Sequence, residues 1–180
     1  MATLPTTYPG VQENAPHFIA NAKDIAAEMM NFSAEELAQL LKINDKQEGD
    51  TSHAALAFTG MAYKHLKANT FNTKDIDFAN KHLWITSFLY GLLRPLDTIK
   101  PHRLEGNVRL QNHDDMRLFD YWKPLLTQYF VDAITGDNGM LAYLASEEMK
   151  SLFDWNEVAK KVKIFEPQFM VENARGRKTI

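Results

Sequence analysis

Gly91, Pro95 and Pro101 fall close together in the middle of the chain, and no continuous helix can cross them. Proline inside a helix removes a backbone donor and clashes with the preceding turn, and it pushes the residue before it toward extended backbone. The run ahead of this break, Trp84-Ile85-Thr86-Ser87-Phe88-Leu89-Tyr90, is apolar and suits a buried strand. Helical stretches must therefore lie on either side of an extended, turn-rich centre.

On the N-terminal side, residues 1–15 carry Pro5, Pro9 and Gly10 and read as an arm. Phe18, Ala22, Ile25, Ala26 and Met29 share one face, which predicts a helix over 16–31. Ser33-Ala34-Glu35-Glu36 fits a capping box and predicts a second helix over 33–43, with Leu37, Leu40 and Leu41 as its stripe. A polar turn follows, then a short helix between Ser52 and Phe58. Asn72 or Thr73 caps a helix over 73–82 whose Ile76, Ala79 and Leu83 face inward.

On the C-terminal side a helix is expected over 118–134, with Phe119, Trp122, Leu125, Tyr129 and Ala133 inside and Pro124 near its first turn. Strands are expected near 140–144, 162–166 and 168–172. Ser146 is placed to cap a helix over 146–153, and Trp155 to Lys160 reads as one more turn. Arg175-Gly176-Arg177 is expected at a hairpin turn. The sum is α+β: a helix-rich single domain, residues 1–180, with a small mixed sheet.

Composition excludes several functions. There is no cysteine, so thiol catalysis, thiol redox sensing and thiolate metal sites are out, although eight methionines remain oxidisable. A net charge of −3 argues against bulk attraction to nucleic acid or to an anionic membrane, so any phosphate contact must come from a local basic patch. No apolar run reaches membrane-spanning length and no secretory signal is visible, so the expectation is a cytoplasmic protein with no membrane partner. No two of the six histidines have the spacing of a helical metal site, and no metal or other cofactor is expected. His113-Asp114-Asp115 reads as a solvated loop. Ser33, Ser52, Ser87, Ser146 and Ser151 lack the setting of a nucleophilic serine.

The most informative segment is Leu89-Tyr90-Gly91-Leu92-Leu93-Arg94-Pro95-Leu96-Asp97, followed by Pro101-His102-Arg103-Leu104-Glu105. Arg94, Lys100, Arg103 and Arg109 stand there with Asp97 and Glu105 among them. Prolines stiffen the backbone, and guanidinium forks suit phosphate or carboxylate recognition. Asp97 or Glu105 could serve as a general base. The same residues could equally be Arg–carboxylate staples of an irregular loop. Tyr90 could be a stacking platform or a core residue.

This segment closely resembles the signature of the YaaA family of peroxide stress proteins. Phe58-Thr59-Gly60, Tyr63, Phe119-Asp120-Tyr121-Trp122 and Leu144-Ala145-Ser146-Glu147-Glu148 follow in the family's order. His102 departs from the usual tyrosine, Gly106 from methionine, Met61 from aspartate and Tyr143 from asparagine. A first strand with its lysine and a later arginine-rich segment, both usual in the family, are not found. The expectation is therefore a YaaA-like fold missing terminal strands, with an unpaired sheet edge or exposed apolar surface and a weak region over 162–180.

The resemblance implies a polar cleft holding Tyr90, Arg94, Asp97, Lys100, Arg103 and Glu105, and a helix-hairpin-helix-like element over 33–58. There Lys42 and Lys46 would hold DNA phosphates, against the repulsion of Asp45, Glu48 and Asp50. The leading expectation is a monomeric, non-enzymatic DNA-binding protein of the oxidative stress response. The alternative is an enzyme acting on a nucleotide or damaged base, with Asp97 or Glu105 as its catalytic carboxylate. A third reading is a reduced remnant with no site.

Overall fold

The computed structural model describes residues 5–30, 51–100, 102–168, 170–173 and 176–179, and in it helix and strand mix as α+β. The helix expected over 33–43 with Lys42, and the Lys46 of the polar turn after it, lie outside the described residues. Two compact units divide the chain, Met1–Leu118 and Phe119–Ile180.

In the first unit, α1 (Ile19–Met29) buries Ala22, Ile25 and Met29. Its buried Glu28 accepts from Asn112 N at 3.1 Å. The expected short helix after residue 51 is part strand. β1 (Ser52–His53) pairs antiparallel with β4 (Thr98–Ile99), and only then does the one-turn α2 (Ala54–Ala57) begin. The arm crosses β1, where His53 N donates to Thr6 O and Tyr8 N donates to His53 Nδ1. After α3 (Met61–Leu66) comes α4 (Thr73–His82), with the bounds its sequence implies. Asn72 Oδ1 accepts from Lys74 N and Asp75 N, and the Asp75 carboxylate accepts from Asn72 N in return. This reciprocal cap satisfies donors that a helix start leaves open.

The apolar run before Pro95 is shorter as a strand than expected. β2 (Ile85–Ser87) turns back at once into β3 (Gly91–Leu93), antiparallel, with Ser87 opposite Gly91. Ser87 Oγ accepts from Leu89 N and Tyr90 N, so a side chain takes the backbone donors that a ladder would have used. Gly91 opens the return strand at φ +71°, a region costly for any residue with a Cβ. β5 (Arg109–Leu110) and β6 (Met116–Arg117) form a further two-residue pair.

The second unit is built on α5 (Leu118–Thr135), which starts at the end of the first. Its buried face is Trp122, Leu126, Phe130, Val131 and Ile134, while Leu125 is 39% exposed. Pro124 lies within the helix, beyond its first turn. β7 (Met140–Ala142) and β8 (Lys163–Phe165) run parallel, joined through α6 (Glu147–Lys150) and α7 (Trp155–Lys161). Leu141 and Ile164 are half-buried, whereas Met140 and Phe165 are 51% and 46% exposed on the opposite face. Ser146 sits at the start of α6, but its carbonyl rather than its hydroxyl does the bonding, accepting from Tyr143 Oη and Met149 N. α7 is capped by Asp154, whose carboxylate accepts from Asn156 N and Glu157 N. β9 (Met170–Asn173) and β10 (Gly176–Thr179) pair antiparallel, so Gly176 and Arg177 lie in a strand and not in the expected turn.

Candidate functional site

Arg94-Pro95-Leu96-Asp97 is a reciprocal turn. Asp97 N donates to Arg94 O at 3.0 Å, and Arg94 N donates to the Asp97 carboxylate at 2.8 Å. The rest of its backbone is anchored from three sides. Leu96 N donates to the Asn80 side chain on α4, and Ala54 N and Ala55 N donate to Asp97 O and Pro95 O. Asn14 N donates to Leu96 O, and Thr98 N returns a bond to Asn14 O. A short polar turn buried this way must pair its backbone groups, and here it does.

Asp97 is buried beneath this turn, at 5% exposure. Burial lifts its carboxyl to about 6, with the Arg94 N–H and the Arg94 charge pulling the other way. Arg94 itself points to α4. Its Nη1 donates to Lys81 O at 2.9 Å and Leu83 O at 3.4 Å, and its guanidinium lies over the Trp84 ring. Arg94 thus closes the C-terminal end of α4, where orphan carbonyls and the helix dipole favour a cation.

Tyr90 is buried, and its hydroxyl accepts from Lys100 N at 3.2 Å. His102 stands edge-on to it, with ring centres 5.1 Å apart. Lys100 and Arg103 lie on either side of His102 and are exposed. Among the described residues neither has an ion-pair partner. Glu105 is half-buried and its carbonyl accepts from Val108 N. Arg109 is held by Asp115, with its guanidinium 2.9 Å from the carboxylate and 2.8 Å from the backbone oxygen.

The structure therefore brings Arg94 to Asp97, and Tyr90 to Lys100 and His102. It does not join Arg103 to Asp97 by an ion pair among the described residues. What sequence reasoning missed is the pairing of Ser87 with His102, 2.9 Å apart across fifteen positions. The one hint was that histidine replaces tyrosine at that place in the signature. No group of three or more His, Asp or Glu side chains suited to a metal occurs among the described residues. No described helix is long and apolar enough to cross a membrane.

A family model described as peroxide stress protein YaaA matches residues 2–180. UPF0246 protein BF3795 of Bacteroides fragilis is 43% identical over 180 residues, covering 92% of this chain and 67% of its own. A UPF0246 protein of Phocaeicola vulgatus is 43% identical over 172 residues, covering 88% and 68%. One of Porphyromonas gingivalis is 39% identical over 176 residues, covering 90% and 69%. The chain spans about two thirds of the length of these relatives.

Proposed function

We propose a nucleic-acid-binding function for this chain, which belongs to the YaaA family of peroxide stress proteins. The reading is that it serves the oxidative stress response in the cytoplasm by holding DNA phosphates at Lys100 and Arg103. One observation carries it. Of the four cations in the segment from Arg94 to Arg109, Arg94 and Arg109 are engaged by partners in this chain, and Lys100 and Arg103 are exposed without an ion-pair partner among the described residues. Held cations of this kind contact phosphate without reading sequence. Lys42 and Lys46 of the hairpin-like element over 33–58 are proposed as a second set of contacts.

The test is a titration of a labelled duplex at several salt concentrations. Binding should weaken with salt, because each phosphate contact releases condensed counterions. Replacing Lys100 and Arg103 by methionine should weaken it at every salt concentration. No binding by the unaltered chain, or equal binding by the double variant, would overturn the reading.

The alternative, an enzyme acting on a nucleotide or damaged base, draws support from Asp97, whose carboxyl is raised to about 6. A general base works best with its pKa near the working pH. Turnover of a nucleotide or of abasic DNA that Asp97→Asn abolishes would favour this reading over simple binding.

A further inference from the structure

Lys100 and Arg103 share a segment with His102, and the contacts of that ring select one tautomer of its neutral form. Nδ1 lies 3.1 Å from Lys100 O. A carbonyl can only accept, so Nδ1 carries the hydrogen, and in the neutral ring Nε2 is bare. The Ser87 hydroxyl, 2.9 Å from Nε2, therefore donates to it. Ser87 is 3% exposed, and its oxygen already accepts from Leu89 N and Tyr90 N, so its one hydrogen is directed at His102.

We infer that His102 is the positioning residue of the proposed phosphate-contacting segment: neutral, it latches Lys100 and Arg103 to the β2–β3 turn through Ser87, and protonated, it releases them. This deepens the nucleic-acid reading and rests on it. An imidazolium has two donors and no acceptor. It would turn an N–H on an oxygen that already receives two, and it would leave the Ser87 hydrogen without an acceptor.

Among the described residues no carboxylate is paired with the ring. From the β2–β3 turn it meets Ser87 and Tyr90, and from the segment after α2 it meets Phe58, with ring centres 6.1 Å apart. Tyr63 of α3 stacks behind Phe58, and burial pushes its phenol up to about 12, so it stays neutral. The charged residues on the ring's own segment are the cations Lys100 and Arg103 and, three positions on, the half-buried Glu105. Burial accordingly holds the His102 ring below its ordinary pKa, against the opposing pull of the Lys100 carbonyl.

The sign of the pH effect separates this latch from direct contact. An imidazolium touching phosphate would tighten binding as pH falls. The latch predicts the reverse. A labelled duplex is titrated at fixed salt from about pH 7.5 to about pH 5.5, with a loss of affinity of about fivefold or more expected for the unaltered chain. Glutamine in His102→Gln offers an acceptor to Ser87 and does not titrate. It should lose most of the pH dependence. Ser87→Ala should weaken binding at neutral pH.

Amide hydrogen-exchange protection over 100–105 tests the latch without nucleic acid. Protection should be lost at low pH in the unaltered chain and retained in His102→Gln. Affinity that rises at low pH, or a pH dependence shared by His102→Gln, overturns the latch. So does protection that is the same at both pH values, whatever the duplex does. Absence of duplex binding with pH-dependent protection retains the latch and removes only the nucleic-acid reading.

Discussion

Arg94 sits over Trp84, with its guanidinium carbon 3.2 Å from the ring centre, while Nη1 reaches Lys81 O and Leu83 O. One side chain thus ties the end of α4 to the turn that holds Asp97. Arg94→Met should lower stability by about 1–3 kcal/mol, from charged hydrogen bonds and the cation–π contact together. Arg94→Lys should recover little, because an ammonium cannot lie on the indole and span two carbonyls at once. Urea midpoints measure this, and an unchanged midpoint for Arg94→Met would show that the contact contributes nothing.

Arg103 is the counterpart. It is exposed and has no ion-pair partner among the described residues. Arg103→Met should move stability by no more than about 0.5 kcal/mol. The same change should reduce the salt dependence of duplex binding by about one unit of slope. A stability loss of roughly 3–5 kcal/mol would instead mark a buried carboxylate left unpaired, and the phosphate role would fail.

Legibility followed the range of the interactions. α4 could be read to the residue because its cap is local, with Asn72 and Asp75 three positions apart. The bounds of α5 were plain to within one residue, but its inward face was not. Apolar residues surround that helix, so spacing alone could not choose Leu126 and Phe130 over Leu125 and Tyr129. The pair β1–β4 joins Ser52 to Ile99, which no local pattern encodes. The candidate segment was found as a motif, but the separate roles of its arginines were hidden. Which guanidinium turns inward depends on where Trp84 and the end of α4 come to rest. Ser87 read as an ordinary serine because its partner is fifteen positions away.

Pro124 sits within α5, so the bond its nitrogen would have donated to Asp120 O cannot form. Pro124→Ala can supply that donor, and it should stabilise the chain by about 1–3 kcal/mol if the helix closes around it. Thermal unfolding checks the direction. A lower midpoint would mean that the local backbone is adapted to proline and cannot accept the extra bond. Asn72→Ala gives the opposite sign on α4, a loss of about 1 kcal/mol, because donors at the helix start lose their acceptor.

Asp97 should leave a mark on the pH dependence of folding. Its carboxyl is raised to about 6 in the fold, against about 4 for an unfolded aspartate. Between those values the folded chain binds the proton more tightly than the unfolded chain. The contribution of Asp97 therefore falls as pH rises through the window and is constant above it, a cost of at most about 3 kcal/mol. The amide introduced by Asp97→Asn is neutral at every pH, and its Oδ1 could still accept from Arg94 N. The variant should thus match the unaltered chain near about pH 4 and exceed it near about pH 7. The quantity to plot is the difference between the two proteins, which isolates Asp97. A variant less stable at neutral pH would show that attraction to Arg94 outweighs burial, and the expected sign would be wrong. A variant that gains stability while losing turnover would show a buried charge kept for chemistry at a cost to the fold.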